Sequence, residues 1–219
     1  GDVTGFIAAT FMRGIQYINI PTTLLGMVDS SIGGKTGINL SSGKNLIGSI
    51  YHPEKIIIDP KLLNTLPERE YHSGMAEIIK YSLILDKNLF TKLENSLDQL
   101  LSVNKTSDCL NEIILTCVQL KVNIVEQDES DNNIRNILNF GHTIGHAFET
   151  YFEYVKMNHG EAVAYGMLYA SKLSNVHGDL SEKELDQIYG MIKKLNLPEI
   201  KNIDIEKILS FIKHDKKNT

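Results

Sequence analysis

From about residue 60 onward the apolar residues fall into a helical period and keep it almost to the end of the chain. No other feature limits the fold as much. The segments are 67-PEREYHSGMAEIIKYSLIL-85, 86-DKNLFTKLENSL-97, 107–127, 135–155, 159–177, 181-SEKELDQIYGMIKKL-195 and 204-DIEKILSFIK-213. In each, apolar residues three and four apart gather on one face, so the spacing predicts helices that must bury those faces against one another. Pro67 and Ser181 stand where helix starts favour a proline and a hydroxyl cap. The first sixty residues differ. They mix a helical stretch over 3–14, an extended run 15-IQYINIP-21, a Thr-rich helix start at 21-PTTLLGMVDSS-31 and a Gly-studded segment. Two β-rich runs in 45-NLIGSIYHPEKIIID-59, split by a proline turn, fit a hairpin or edge strands. The expected organisation is an α/β unit over 1–59 and an all-α domain over 60–219, mostly α overall.

Composition narrows the function classes. With 42% hydrophobic and 22% charged residues, 219 residues can bury one large core or two small ones. A net charge of −5 argues against a broad nucleic-acid surface, so any anion site must be local. No apolar run approaches the roughly 18 residues needed to cross a bilayer, so no membrane partner is expected. Cys109 and Cys117 both sit in the helical pattern 107–127, which fits small buried thiols in reducing, cytoplasmic surroundings rather than a disulfide framework. The chain opens on Gly1 without a Met and closes on 213-KHDKKNT-219, the expectation being a piece of a longer protein.

Three constellations carry chemistry. The first is 138-LNFGHTIGHAFETYFEYVKMNHGEAVAYGM-167. On a helix His142 and His146 differ by about 40° around the axis and project from one face, and His159 opens the next helix. A catalytic zinc takes three protein ligands, commonly His with one carboxylate, and leaves a position open. Glu77, in 73-SGMAEIIKY-81, is a candidate carboxylate because it stands among apolar residues, where an unpaired charge is costly. Glu68 and Glu70 read as a solvated face. Spacing alone does not choose which two histidines bind.

The second is 29-DSSIGGKTGINLSSGKNLIG-48. A P-loop needs glycine where this chain has Asp29, so that reading fails. Lys35 and Lys44 remain, flanked by glycines where backbone amides approach an anion closely. In the third, 119-QLKVNIVEQDESDNNIRNILNFGH-142, Lys121, Arg135 and Asn139 converge on a helical reading, with Arg135 and Asn139 four apart on one face. Arginine grips carboxylate or phosphate with paired hydrogen bonds, although an ion pair with Asp128, Glu129 or Asp131 explains Arg135 as well.

Taken together, 1-GDVTGFIAATFMRG-14, 20-IPTTLLGMVDSSIGGKTGIN-39, 43-GKNLIGSIYHP-53, 65-TLPEREYHSGMAEIIKY-81, 135-RNILNFGHTIGHAFE-149, 159-HGEAVAYGM-167 and 215-DKK-217 closely resemble the 3-dehydroquinate synthase family. The resemblance runs in consistent order from Gly1 to Lys217. It implies the C-terminal part of a Rossmann-like NAD-binding domain over 1–59, followed by the helical metal- and substrate-binding domain. Implied metal ligands for Zn²⁺ or Co²⁺ are Glu77, His142 and His159, with His146 facing the substrate phosphate. Arg13, Lys35, Asn45, Asn139, His146 and Lys216 match phosphate-side positions; Lys80, Lys121 and Arg135 match positions near the ring hydroxyls and carboxylate. Asp2, Thr22, Thr23, Asp29, Lys35, Lys44, Leu62, Leu63, Asn64 and Thr65 match NAD contacts. Where the family usually has Glu four residues before the arginine, this chain has Asp131. The implied reaction converts a heptulosonate phosphate to 3-dehydroquinate and phosphate in the shikimate pathway, with NAD used and restored, by a cytoplasmic homodimer. Rival readings are a 2-deoxy-scyllo-inosose synthase type of cyclase, whose substrate lacks a carboxylate, a metal-dependent polyol dehydrogenase, and a non-catalytic helical interaction domain.

Overall fold

The computed structural model describes residues 1–40, 43–102 and 107–214, with the side chains of residues 43–45 and 214 left out. The expected sites Lys44 and Asn45, as side chains, and Lys216 altogether lie outside that description. The chain divides into two compact units, Gly1–Pro67 with Lys105–Asn136, and Glu68–Asn104 with Ile137–Thr219.

In the first unit, α1 (Asp2–Thr10) packs on β2 (Lys35–Leu40). The contact is close because Gly5 carries no side chain: a Cβ there would stand 2.4 Å from Thr36 Cγ2. A 3₁₀ turn, Phe11–Arg13, ends the helix, with Met12 at φ 48° and Arg13 at φ 71°. β1 (Ile18–Asn19) pairs in parallel with β4 (Lys55–Ile56), and β2 pairs antiparallel with β3 (Gly43–Ile50) in the register Lys35↔Ile50 and Ile38↔Ile47. The two β runs of 45–59 therefore do not form a hairpin with each other. Each finds its partner earlier in the chain, β3 on the Gly-studded strand and β4 on the extended run. The Thr-rich stretch becomes a π-helical turn, Gly26–Ser30, against which α4 (Asp108–Gln127) packs.

The second unit is helical. At its centre α2 (Glu68–Ile84) is buried from Tyr71 to Ser82 without a break, so it is covered on all sides. Around it lie α3 (Lys87–Leu100), α6 (His159–His177) and α7 (Glu182–Lys193), while α5 (His142–Tyr151) packs on α6 and on α8 (Ile205–His214). Phe148, Ala147, Met157, Ala162 and Ile208 form the core where these last three helices meet. Each large apolar side chain buried this way contributes about 1.5–3 kcal/mol.

The helix expected over 135–155 is broken. Residues Ile134–Asn139 form a 3₁₀ helix, Gly141 turns left-handed at φ 78°, and α5 starts at His142. The break lets α5 come down on α6, since a Cβ on Gly166 would lie 1.8 Å from the Gly141 carbonyl oxygen. In a 3₁₀ helix residues four apart are about 120° apart, so Arg135 and Asn139 do not share a face as a continuous α-helix would require.

Candidate metal centre

Glu77 is fully buried on α2, a position that demands compensation for its charge. Lys80, one turn on and itself buried, makes an ion pair with Glu77 Oε2. From the other side His142 Nε2 approaches Oε1 at 3.7 Å and His159 Nε2 at 3.5 Å. Neither carboxylate oxygen takes a well-formed hydrogen bond from either ring, whose nitrogens stand at these separations. They suit a different arrangement. Two ligand atoms each about 2.1 Å from a tetrahedral zinc ion lie about 3.4 Å from each other. Among the described residues, one ligand atom from each of Glu77, His142 and His159 falls within 4.8 Å of the others. The donor set, one carboxylate and two imidazoles, fits a catalytic divalent ion. The 29% exposure of the His159 side chain leaves a side open.

Both rings are oriented from behind. His142 Nδ1 lies 3.1 Å from the Phe140 carbonyl oxygen, to which it donates, so its Nε2 lone pair faces the cluster. His159 Nδ1 lies 3.5 Å from Oε2 of Glu149, a buried carboxylate on α5. Charge follows from these neighbours. Burial pushes His142 down to about 3, helped by the Lys80 and His159 charges, so the ring is neutral and ready to ligate. Burial also works against a charged His159, but the Glu149 and Glu77 carboxylates, one beside each ring nitrogen, outweigh it and push that ring up to about 10. Burial alone would raise Glu77; the charges of Lys80 and then His159 instead hold it well below the usual carboxylate range.

The start of α6 is tied to α2, which fixes where His159 stands relative to Glu77. Asn158 caps the helix by accepting from the Glu161 backbone N–H at 3.0 Å, and Glu161 Oε2 accepts from the Asn158 N–H at 2.8 Å. Arg69 on α2 grips both Glu161 oxygens at 2.7 Å and the Lys156 carbonyl at 2.8 Å. The Gly160 N–H donates to Ser73 Oγ at 3.0 Å, and a Cβ on Gly160 would meet the Ser73 carbonyl oxygen at 2.3 Å. His146 stays on the same face of α5 as His142, its ring edge-on with centroids 5.4 Å apart, but it is not part of the ligand cluster.

Among the described residues, the remaining expected site residues fall in the first unit, apart from Asn139, which lies in the second. Lys121 Nζ donates to Asp29 Oδ1 at 2.7 Å and to the Asp29 carbonyl at 2.6 Å. Lys35 pairs with Asp131, which sits at φ 58°. Arg135 is buried and donates to the carbonyls of Glu129 (2.8 Å) and Gly33 (3.3 Å), so its guanidinium meets backbone rather than the acidic side chains. Asp128 instead accepts the backbone N–H groups of Asn132, Asn133 and Arg135; burial pushes its carboxyl up, and these donors hold it lower. Burial likewise raises the Asp2 carboxyl. Thr22 and Thr23 line a cleft of about 200 Å³ with Gly1, Asn19 and Ser30. Arg13 is exposed, as are Leu62, Asn64 and Thr65 on the 3₁₀ turn Pro60–Thr65, whereas the Leu63 side chain is fully buried core.

Glu149, Arg69, Ser73 and Glu161 went unnoticed as site residues in the sequence. The pattern 158-NHGE-161 is a capping box, and Glu149 repeats the signal that marked Glu77, a carboxylate in an apolar helix.

Against known proteins, residues 1–73 match the family model described as 3-dehydroquinate synthase N-terminal, and residues 74–218 the one described as 3-dehydroquinate synthase C-terminal. A 3-dehydroquinate synthase of Dictyoglomus thermophilum is 50% identical over 217 residues, 99% of this chain and 61% of the relative. Among solved structures, 2-epi-5-epi-valiolone synthase from Streptomyces hygroscopicus subsp. jinggangensis, with NAD⁺ and Zn²⁺ bound, superposes with TM-score 0.92 at 30% identity, over 99% of this chain and 60% of that one. A 2-deoxy-scyllo-inosose synthase complexed with carbaglucose-6-phosphate, NAD⁺ and Co²⁺ gives 0.88 at 33%, over 99% and 59%. The chain thus spans about 60% of the length of the relatives it matches.

Proposed function

This chain belongs to the 3-dehydroquinate synthase family, and on that premise we propose that its protein converts 3-deoxy-D-arabino-heptulosonate 7-phosphate to 3-dehydroquinate and phosphate, as a phosphate-eliminating lyase of the shikimate pathway. The observation that carries the reading is the meeting of the buried Glu77 with His142 and His159. The cofactors are NAD and one Zn²⁺ or Co²⁺ ion, in keeping with the ligands of the two solved cyclases. Bound NAD would supply reversible hydride acceptance, and the ion, held by Glu77, His142 and His159, would supply Lewis-acid polarisation of a substrate oxygen.

The chain's own residues do the rest. Glu77, His142 and His159 hold the ion, and Lys80 offsets the Glu77 charge next to a ring hydroxyl. Thr22 and Thr23 line the cleft for the nucleotide, with Asp2, Asp29, Lys35, Lys44 and the 62–65 turn as further contacts. Arg13, Lys35, Asn45, Asn139, His146 and Lys216 surround the phosphate, where cations and amides favour binding and departure alike. His146, on the phosphate side, assists proton movements. Lys121 and Arg135 receive the ring hydroxyls and the carboxylate. Lys35 and Lys121 each rest on a carboxylate, Asp131 and Asp29, which holds these cations in place for substrate oxygens.

We assign residues 1–59 to the C-terminal part of the nucleotide-binding domain and 60–219 to the metal and substrate domain of a cytoplasmic homodimer, although residues 60–67 and 105–136 group with the first compact unit. A 2-deoxy-scyllo-inosose synthase type of reaction is the second reading, since one of the solved relatives is a 2-deoxy-scyllo-inosose synthase complexed with carbaglucose-6-phosphate. Full-length protein incubated with the heptulosonate phosphate and catalytic NAD is expected to release phosphate and the cyclised product. Phosphate release from glucose 6-phosphate alone would replace the first reading with the second.

A further inference from the structure

We propose that Glu149 is a positioning residue for the metal centre: it accepts the Nδ1 proton of His159 and so commits the opposite nitrogen to the ion. This rests on the reading of Glu77, His142 and His159 as ligands. Residues 142, 146 and 149 are spaced by four and three, so all three project from one face of α5. Glu149 is 3% exposed, and a carboxylate that deep is retained at a cost unless it is paired. Its Oε2 stands 3.5 Å from His159 Nδ1, while on the far side of the same ring Nε2 stands 3.5 Å from Glu77 Oε1. The imidazole is bracketed by two carboxylates, one on each nitrogen.

A neutral imidazole has one N–H. With the proton on Nδ1 it is donated to Glu149, and the Nε2 lone pair is directed at the cluster. With the proton on Nε2 the lone pair on Nδ1 would face the Glu149 carboxylate, an electrostatic repulsion beside a group that is itself buried. The two imidazoles are thus fixed by unlike acceptors. His142 donates to a neutral carbonyl, that of Phe140, whereas His159 donates to an anion. An anionic acceptor makes the ring a stronger donor to a cation, so His159 is the more basic of the two ligands.

The test compares the full-length wild type with E149Q, E149L and H159A. Zn²⁺ and Co²⁺ affinities are measured by chelator competition, and the ring N–H protons of the zinc-loaded proteins are followed by NMR. E149L is expected to bind metal about 10- to 100-fold more weakly and to lose a protected low-field His159 N–H signal. E149Q, which keeps an acceptor but not the charge, is expected to fall between E149L and wild type and to retain the signal. H159A is expected to bind more weakly than either. Wild-type affinity in both Glu149 variants alongside weak binding by H159A overturns the role of Glu149 and leaves the ligand set standing. Wild-type affinity in H159A overturns the ligand set itself. Weaker binding in E149L with an unchanged N–H signal assigns the loss to packing and overturns the positioning role. If E149L does not fold, E149Q decides, and unchanged affinity there overturns the proposal.

Discussion

His142 and His146 sit one turn apart on one face of α5, but the ligand cluster takes in His142 and not His146. His142→Ala is therefore expected to lose bound metal, by 100-fold or more in affinity as an order of magnitude for a removed ligand, while His146→Ala keeps its metal and turns over slowly. Metal analysis after dialysis checks the first, and a phosphate-release assay the second. A further expectation follows from charge. His159 is held at about 10, His142 at about 3 and Glu77 well below its ordinary range, so at neutral pH only His159 carries a proton that an ion must displace. Zinc affinity should rise about tenfold per pH unit between roughly pH 7 and 9, with close to one proton released, measurable by calorimetry in buffers of different ionisation heat. The stability of the metal-free protein has matching signs. Because His159 is raised, its proton stabilises the fold fully below its ordinary value of 6.5, and that share is lost as pH climbs toward 10. Because His142 is depressed, stability is lost as pH falls from 6.5 toward 3. Residue types and spacing made the candidates legible, Glu77 above all, since a charge in an apolar helix requires a partner. They did not distinguish His142 from His146, because that choice lies in contacts made by a helix more than sixty residues earlier in the chain.

The elements that hold the site are α2 and α6, joined by the Arg69–Glu161 pair and by the Gly160 N–H on Ser73 Oγ, with the Asn158 capping box starting α6. Removing a cap of this kind costs about 1 kcal/mol. Asn158→Ala is expected to lower stability by about that amount and also to weaken metal binding, because His159 is the first residue of the helix it caps. Ser181→Ala removes an equivalent capping box from α7, which bears no ligand, and is expected to cost similar stability with metal affinity unchanged. Denaturant unfolding and chelator competition on the two variants separate the effects. Helix periodicity located α2, α3, α4, α6, α7 and α8 within a few residues of where they lie. It failed at 135–155, where the apolar pattern runs on through Gly141 although the backbone turns left-handed there to let Gly166 approach. Strand pairing was also hidden, because β3 and β4 are chosen by partners in other segments, and local alternation does not encode which.

At the scale of the molecule, all three proposed ligands belong to the unit Glu68–Asn104 with Ile137–Thr219, and the Thr22–Thr23 cleft to the other. Residues 105–136 belong with the first unit, a return of the chain that no composition shift announces, because α4 has the same apolar period as the helices around α2. Zinc at about 100 times its dissociation constant stabilises the folded state by about 2.7 kcal/mol. In a scan the transition of the helical unit should move up by roughly 5–10 °C and return on adding chelator. A transition that ignores zinc would place the ion elsewhere. The most direct check is an anomalous diffraction experiment on crystals grown with zinc or cobalt. A single peak about 2.0–2.2 Å from a Glu77 oxygen and from the Nε2 atoms of His142 and His159 is the result expected. A peak on His146 in place of His142, or an ion bound away from Glu77, would contradict it.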